Sequence, residues 1–313
     1  MAATSPSLAP RKRPRVVPTS RVVHGDCVAG MRAMPDGSAS VVLADPPYGI
    51  GNFSWDGPEG YMAFAEAWLT EATRVLRPGG ALLFFGSPCA LWTSRMNIFL
   101  DGVPGMEHQQ TLTWIYSQGL QWHSHSNPSQ KHRMHAWHPL TTRRRLSASS
   151  GVCTGGDARL ETMKQYAVRS ETLEWWAKTP GMLTFNPTVA TERYTDEDKK
   201  VALAKGKGRV NEASLDKGRP PRTWVDIPRE NSRSKERRYG KHPSMKPMML
   251  AERLIGVHSN HSDRVVVPFA GSGSEMLAGT KLGRETIGFE TEAEYIELMR
   301  RRFAGHGAKI EFG

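Results

Sequence analysis

The run Val41-Val42-Leu43-Ala44, stopped by Asp45-Pro46-Pro47-Tyr48-Gly49, constrains the fold more than any other stretch of the chain. Consecutive β-favouring or small apolar residues suit a strand buried on both faces, and two successive prolines cannot continue a hydrogen-bonded ladder. A buried parallel strand of this kind belongs to an open α/β sheet, where ligands collect at the carboxyl ends of the strands. Asp45 then stands as a carboxylate at the mouth of a crevice, with Tyr48 as a flat ring held by two φ-restricted residues. An acceptor beside a stacking surface suits a planar, amino-bearing substrate. The competing reading is a strand-terminating turn with a solvated Asp, since Asp and Pro are ordinary turn residues.

The flanking sequence repeats the α/β pattern. Val22-Val23-His24 reads as a short strand, followed by a turn at Gly25-Asp26-Cys27. Tyr61, Phe64, Ala65, Trp68, Leu69, Ala72, Val75 and Leu76 fall on one helical face, so these aromatics are expected in the core. Pro78-Gly79-Gly80 is expected to end that helix before a buried strand over Ala81–Phe85, giving a right-handed βαβ unit. Past Lys241 the regular pattern returns: Pro247 opens a helix carrying Leu250, Leu254 and Ile255, and Arg264–Val267 is a strand. A Gly-rich turn follows at Phe269–Ser274, then a helix over Glu275–Leu282 closed by Gly283, a strand over Thr286–Glu290, and a last helix through Tyr295, Leu298, Met299 and Phe303.

Between about 105 and 240 the texture loosens. Leu112–Tyr116 is strand-like, and Trp175-Trp176 and Phe185-Asn186-Pro187 suggest packed structure. His123, His125, His132, His135 and His138 invite a metal reading, but their spacings match no tetrahedral motif with Cys partners, and no metal site is expected. The stretch Arg229–Lys241, with Arg233, Lys235, Arg237 and Arg238, reads either as a phosphate-contacting linker or as a solvated loop. Residues 1–20 carry Arg11, Lys12, Arg13 and Arg15 without an apolar stretch, the pattern of a mobile tail rather than a signal peptide.

The net charge of +11 should attract a polyanion, most simply nucleic acid. No apolar run approaches the length of a membrane span, so no membrane association is expected. Cys27, Cys89 and Cys153 form no CxxC pair, which leaves disulfides and a zinc ribbon unsupported and makes a reducing cytoplasm the expected compartment.

The Gly-rich turn identifies the second half of a site. A strand entering Gly271-Ser272-Gly273 and then a helix lets backbone N–H groups close on a ligand at the helix start. The dinucleotide fingerprint needs a third small residue where this chain has Met276, which disfavours nicotinamide and flavin cofactors. Glu290, ending the next strand, can accept both hydroxyls of a ribose. A carboxylate-bearing nucleoside such as S-adenosyl-L-methionine fits these requirements.

Together, DPPYG at 45–49, HPSMKP at 242–247, PFAGSGS at 268–274 and GFETEAEY at 288–295 resemble the amino-methylating DNA methyltransferases, in the permuted order of the β-class where the catalytic motif precedes the cofactor motif. The resemblance covers about 21–116 and 223–303. It implies a Rossmann-like α/β fold in which a catalytic half at 21–117 and a cofactor-binding half at 236–313 flank an irregular inserted target-recognition region at 118–235. It further implies that the target base is flipped out of double-stranded DNA and stacked on Tyr48. The Asp45 carboxylate and the Pro46 carbonyl, with Pro47 completing the motif, would hold the exocyclic amine. Asp26 would lie at the cofactor adenine and Glu290 at its ribose, with Phe269, Ala270, Gly271, Ser272, Gly273, Ser274 and Lys246 toward the methionine end; Cys27, Ser244 and Thr291 would complete the cofactor-binding set.

Two departures stand out. The family usually has Asp where this chain has Val267, and Thr-Thr where it has Ser274-Glu275. Aspartate at the head of the tetrapeptide leans toward adenine N6 in the family, with cytosine N4 as the nearest rival. A DNA-binding protein with a degenerate cofactor site is a third reading. A homodimer and a cognate restriction endonuclease are left open as partners.

Overall fold

A computed structural model describes residues 19–49, 59–87, 91–116, 170–206, 211–231 and 234–313. The basic tail before Thr19, Cys89, Cys153, the histidines from His123 to His138, Arg143–Arg145, Arg233 and about half of the expected insertion, chiefly 118–169, lie outside the described residues.

The chain begins with β1 (Ser20–His24), α1 (Cys27–Arg32), β2 (Ala39–Ala44), α2 (Tyr61–Val75) and β3 (Leu76–Gly86). It continues through α3 (Trp92–Asp101), β4 (Met106–Ile115), β5 (Ser170–Lys178), α4 (Asp196–Lys205), α5 (Glu212–Asp216) and β6 (Trp224–Asp226). The last part holds α6 (Met248–His258), β7 (Arg264–Val267), α7 (Ser274–Lys281), β8 (Glu285–Glu290), α8 (Ala293–Gly305) and β9 (Glu311–Phe312). Among the described residues these strands form one sheet in the order β6-β4-β5-β3-β2-β7-β8-β1-β9. This is the Rossmann-like α/β architecture, extended at its two edges by the short strands β6 and β9.

Alternation along the strands divides the core between the two faces of the sheet. Val41, Leu43, Leu83 and Phe85 pack with Leu250, Leu254, Met276, Leu277 and Phe303 of α6, α7 and α8. Val42, Ala44, Leu82 and Phe84 pack on the other face with Trp68, Leu69 and Ala72 of α2 and with Met31 of α1. Val41 to Ala44 are all fully buried, as a strand covered on both faces requires.

Two details differ from the sequence reading. The helix ends at Val75 and β3 begins at once with Leu76, so Pro78-Gly79-Gly80 lies inside the strand instead of forming a separate turn. Arg77 precedes a proline and is biased to extended backbone, which moves the boundary upstream. Residues 27–32 form a short helix, absent from the sequence reading, directly after the turn expected at Gly25-Asp26-Cys27; Asp26 caps it by accepting the Ala29 N–H at 2.8 Å.

The sheet order positions the site. β2 is flanked by β3, the next strand in the chain, and by β7, which enters from the far end of the sequence, and both neighbours are parallel to it. The direction of winding therefore reverses between β2 and β7, and the carboxyl ends of the two strands open a crevice there. β5 lies within the 118–235 segment yet is a strand of this central sheet, antiparallel to β3, so that its first residues lie at the same edge.

Candidate active site

Asp45 leaves β2 with its side chain 14% exposed, while Lys246, reached just before α6, is 4% exposed. Lys246 Nζ lies 2.8 Å from Asp45 Oδ1 and 2.9 Å from Glu171 Oε2. The Tyr48 hydroxyl lies 2.9 Å from the same Asp45 Oδ1 and 2.8 Å from the same Glu171 Oε2, and it accepts from Lys246 Nζ at 3.2 Å. One ammonium and one hydroxyl thus bridge two carboxylates. Asp45 Oδ2 has no hydrogen-bond partner among the described residues.

Burial pushes the Asp45 carboxyl up from its ordinary value, opposed by the Lys246 charge and reinforced by that of Glu171. Burial works against the Lys246 ammonium, but Asp45 and Glu171 outweigh it and hold the lysine above its usual range. The Tyr48 phenol is raised well above its ordinary value by burial and by both carboxylates, so it stays a protonated donor. The ammonium also faces the Phe85 ring, 4.8 Å from its centroid. Beside the cluster lies a polar cavity of about 220 Å³ lined by Trp114, Glu171, Arg229, Arg237, Ser244 and Lys246.

The Gly-rich turn lies next to this cluster because β7 neighbours β2. Glu290, at the end of β8, fastens it: its Oε2 accepts the Gly271 N–H at 2.7 Å and its Oε1 accepts the Glu292 N–H at 2.9 Å. Burial raises the Glu290 carboxyl, against these backbone bonds. The end of β1 joins the same edge, with Gly25 N–H donating to the Glu290 carbonyl at 2.9 Å and the His24 ring within 2.9 Å of the Thr291 carbonyl. Below the turn, buried Arg302 donates to the Ser272 carbonyl at 2.6 Å and to Ser274 Oγ at 3.1 Å, while pairing with Glu236 at 2.8 Å.

Gly273 adopts φ +75°, and a Cβ there would stand 2.6 Å from Met299 Cγ. Gly273→Ala should therefore destabilise the protein by about 1–3 kcal/mol. A thermal melt checks this, and an unchanged midpoint would show that the turn has room to spare.

The expected residues divide into three groups. Asp45, Tyr48 and Lys246 meet in one hydrogen-bonded cluster, in which Lys246 pairs with the Asp45 carboxylate. Gly271, Ser272, Ser274, Glu290 and Thr291 are joined through the turn and its anchors, and Asp26 stands exposed at the end of β1 as the cap of α1. Phe269, partly buried, makes an edge contact with Trp68 at 5.5 Å, and Cys27 is buried, which pushes its thiol up to about 12. Val267 is fully buried in the apolar core.

Sequence reasoning missed Glu171. Its signal was a carboxylate in phase with Leu173 and Trp175, a charged residue on the buried face of a strand. Arg229, at the start of the basic stretch, places its guanidinium over the Tyr116 ring at 4.1 Å and 3.5 Å from Glu171 Oε1.

The DNA methylase family model for N6- and N4-specific enzymes matches residues 39–301. The chain is 25% identical over 291 residues to the type II methyltransferase M.HpaI of Haemophilus parainfluenzae, a match covering 90% of this chain and 73% of that protein. Its fold is similar to that of PvuII DNA methyltransferase (cytosine-N4-specific), with a TM-score of 0.61, 17% identity, and coverage of 91% of this chain and 87% of that one. It is also similar to the DNA modification methylase TTHA0409 of Thermus thermophilus, solved as a complex with S-adenosyl-L-methionine, with a TM-score of 0.54, 21% identity, and coverage of 94% of this chain and 98% of that one.

Proposed function

This chain belongs to the DNA methylase family that modifies exocyclic N6 and N4 amines, and we propose that it transfers a methyl group from S-adenosyl-L-methionine to N6 of adenine in double-stranded DNA. The observation that carries the proposal is the Asp45 carboxylate at the β2–β7 crevice, one oxygen fixed by Lys246 and Tyr48 and the other without a partner among the described residues. Aspartate at this place, where the cytosine-N4 enzymes usually carry serine, supports adenine as the base.

The residues present fit the cofactor. Glu290 is held rigid by two backbone N–H groups and keeps lone pairs for the hydroxyls of a ribose. Gly271 and Gly273 keep the turn free of side chains where a ligand must approach the backbone; at Gly271 a Cβ would already stand 2.9 Å from the His242 ring. When bound, S-adenosyl-L-methionine supplies an electrophilic methyl group on a sulfonium.

The protein's part is orientation and charge. Asp45 Oδ2 and the Pro46 carbonyl accept the two N–H groups of the flipped base, which holds the nitrogen lone pair toward the cofactor side of the crevice. The Tyr48 ring provides the stacking surface, and its hydroxyl bonds fix the ring plane. Fixed geometry and preorganised charge supply the acceleration. The excess of basic residues over the whole chain favours approach to the phosphate backbone. Target recognition by 118–235 belongs to the same proposal.

Incubation with methyl-labelled S-adenosyl-L-methionine and unmethylated duplex DNA should put label into DNA, and mass analysis of the nucleosides should find N6-methyladenine. N4-methylcytosine in its place would reassign the base. DNA binding without any transfer would sink the enzymatic reading in favour of a degenerate cofactor site, which the apolar Val267 motivates. Gel filtration tests the homodimer, and methylome mapping beside a nuclease assay tests a restriction partner.

A further inference from the structure

We propose that Glu171 is a positioning residue of the methyl-transfer site: it shares the Lys246 ammonium and the Tyr48 hydroxyl with Asp45, and so keeps one Asp45 oxygen open for the substrate amine. The proposal rests on the methyl-transfer reading given above.

The two carboxylates draw on a small set of protons. Lys246 has three N–H donors, and its near neighbours are Asp45, Glu171 and the Tyr48 oxygen at 2.8, 2.9 and 3.2 Å. Tyr48 has one O–H, yet Asp45 Oδ1 and Glu171 Oε2 lie at 2.9 and 2.8 Å from it. At any moment that proton serves one carboxylate only. With Glu171 present, the hydroxyl has an alternative acceptor at the same distance, and the ammonium is drawn to a point between the two acids. Without it, both donors have Asp45 as their sole carboxylate partner among the described residues, and the ring of Tyr48 loses the second of these two anchors.

Glu171 is itself held for this task. It is 6% exposed, it opens the antiparallel strand β5 opposite Trp114, and Arg229 approaches its other oxygen at 3.5 Å. A carboxylate this buried with nothing to do would be a cost to the fold. Its Oε2 is instead engaged entirely by the two groups that touch Asp45.

The test is a double-mutant cycle on single-turnover methyl transfer, with enzyme preloaded with S-adenosyl-L-methionine and mixed with duplex DNA. Glu171→Gln should slow the step by about 10- to 100-fold, the loss expected from a charge-assisted hydrogen bond. Cofactor affinity, measured by calorimetry, should stay within about twofold, because Glu171 touches none of the turn residues. In a Tyr48→Phe background the Glu171→Gln change should cost much less than in wild type, since the two residues act through one bond. Multiplicative effects, a rate within about twofold of wild type, or parallel loss of cofactor affinity and rate would each overturn the proposal. If the Gln variant does not fold, Glu171→Asp keeps the charge for Lys246 and withdraws the oxygen from Tyr48; a slowed step with unchanged cofactor affinity supports the proposal, and an unchanged rate overturns it. An inactive wild type would overturn the underlying methyl-transfer reading, a result distinct from active wild type with indifferent Glu171 variants.

Discussion

Asp45→Ala should lower the single-turnover rate of methyl transfer by about 10³-fold or more, the range seen when a preorganised polar group is removed from a reacting centre. Cofactor affinity should change little, because Asp45 makes no hydrogen bond to the Gly-rich turn or to Glu290. The fold should also survive. Deleting one partner of a buried ion pair is severe when it strands the other charge, but here Lys246 keeps Glu171 at 2.9 Å. Asp45→Asn makes the sharper comparison, since it preserves shape and removes only the charge. Retained turnover in either variant would refute the assigned role, and a loss of cofactor binding equal to the loss of rate would move Asp45 from the amine to the cofactor.

The parts of this protein that could be read from the sequence are those whose signals are local. Val41 to Tyr48 announces a buried strand and its stop within a few residues, and the helical face from Tyr61 to Val75 is periodic over its whole length. The Gly-rich turn likewise carries its own punctuation. What could not be read depends on contacts between distant elements. Lys246 lies in a motif associated with the cofactor, but the adjacency of β2 and β7 delivers it to Asp45. Glu171 reaches the carboxyl edge only because β5 runs antiparallel to β3, and nothing near Ser170 states its direction. Arg302, between Met299 and Phe303, carries no local signal that sets it apart from its basic neighbours Arg300 and Arg301. It proves to be buried, holding the Gly-rich turn to Glu236. A charge count cannot single it out for a physical reason: a guanidinium paired inside the protein looks the same in sequence as one waiting for phosphate.

Glu275 leads to a second large effect, visible in stability rather than in rate. It lies in the first turn of α7, where the helix dipole favours a carboxylate, yet it is only 5% exposed, and burial followed by the charge of Asp45 pushes its carboxyl up to about 7 from an ordinary 4.5. Burial therefore wins over the dipole. In the folded protein the proton is held up to about pH 7, whereas the unfolded chain releases it near 4.5. Between those values the folded state binds more protons, so stability falls as pH rises; the cost is absent below the lower value and complete above the upper one. Its full size is about 3 kcal/mol. Glu275→Gln removes the ionisation while keeping the shape. The variant should melt at nearly the wild-type temperature at pH 4.5 and several degrees above it at pH 8. An equal gap at both pH values would mean that packing, not ionisation, separates the two proteins. A wild type more stable than the variant at pH 8 would mean that the buried carboxylate has found a cationic partner stronger than Lys246 and Arg302, whose charges are not enough to bring Glu275 back to its ordinary value.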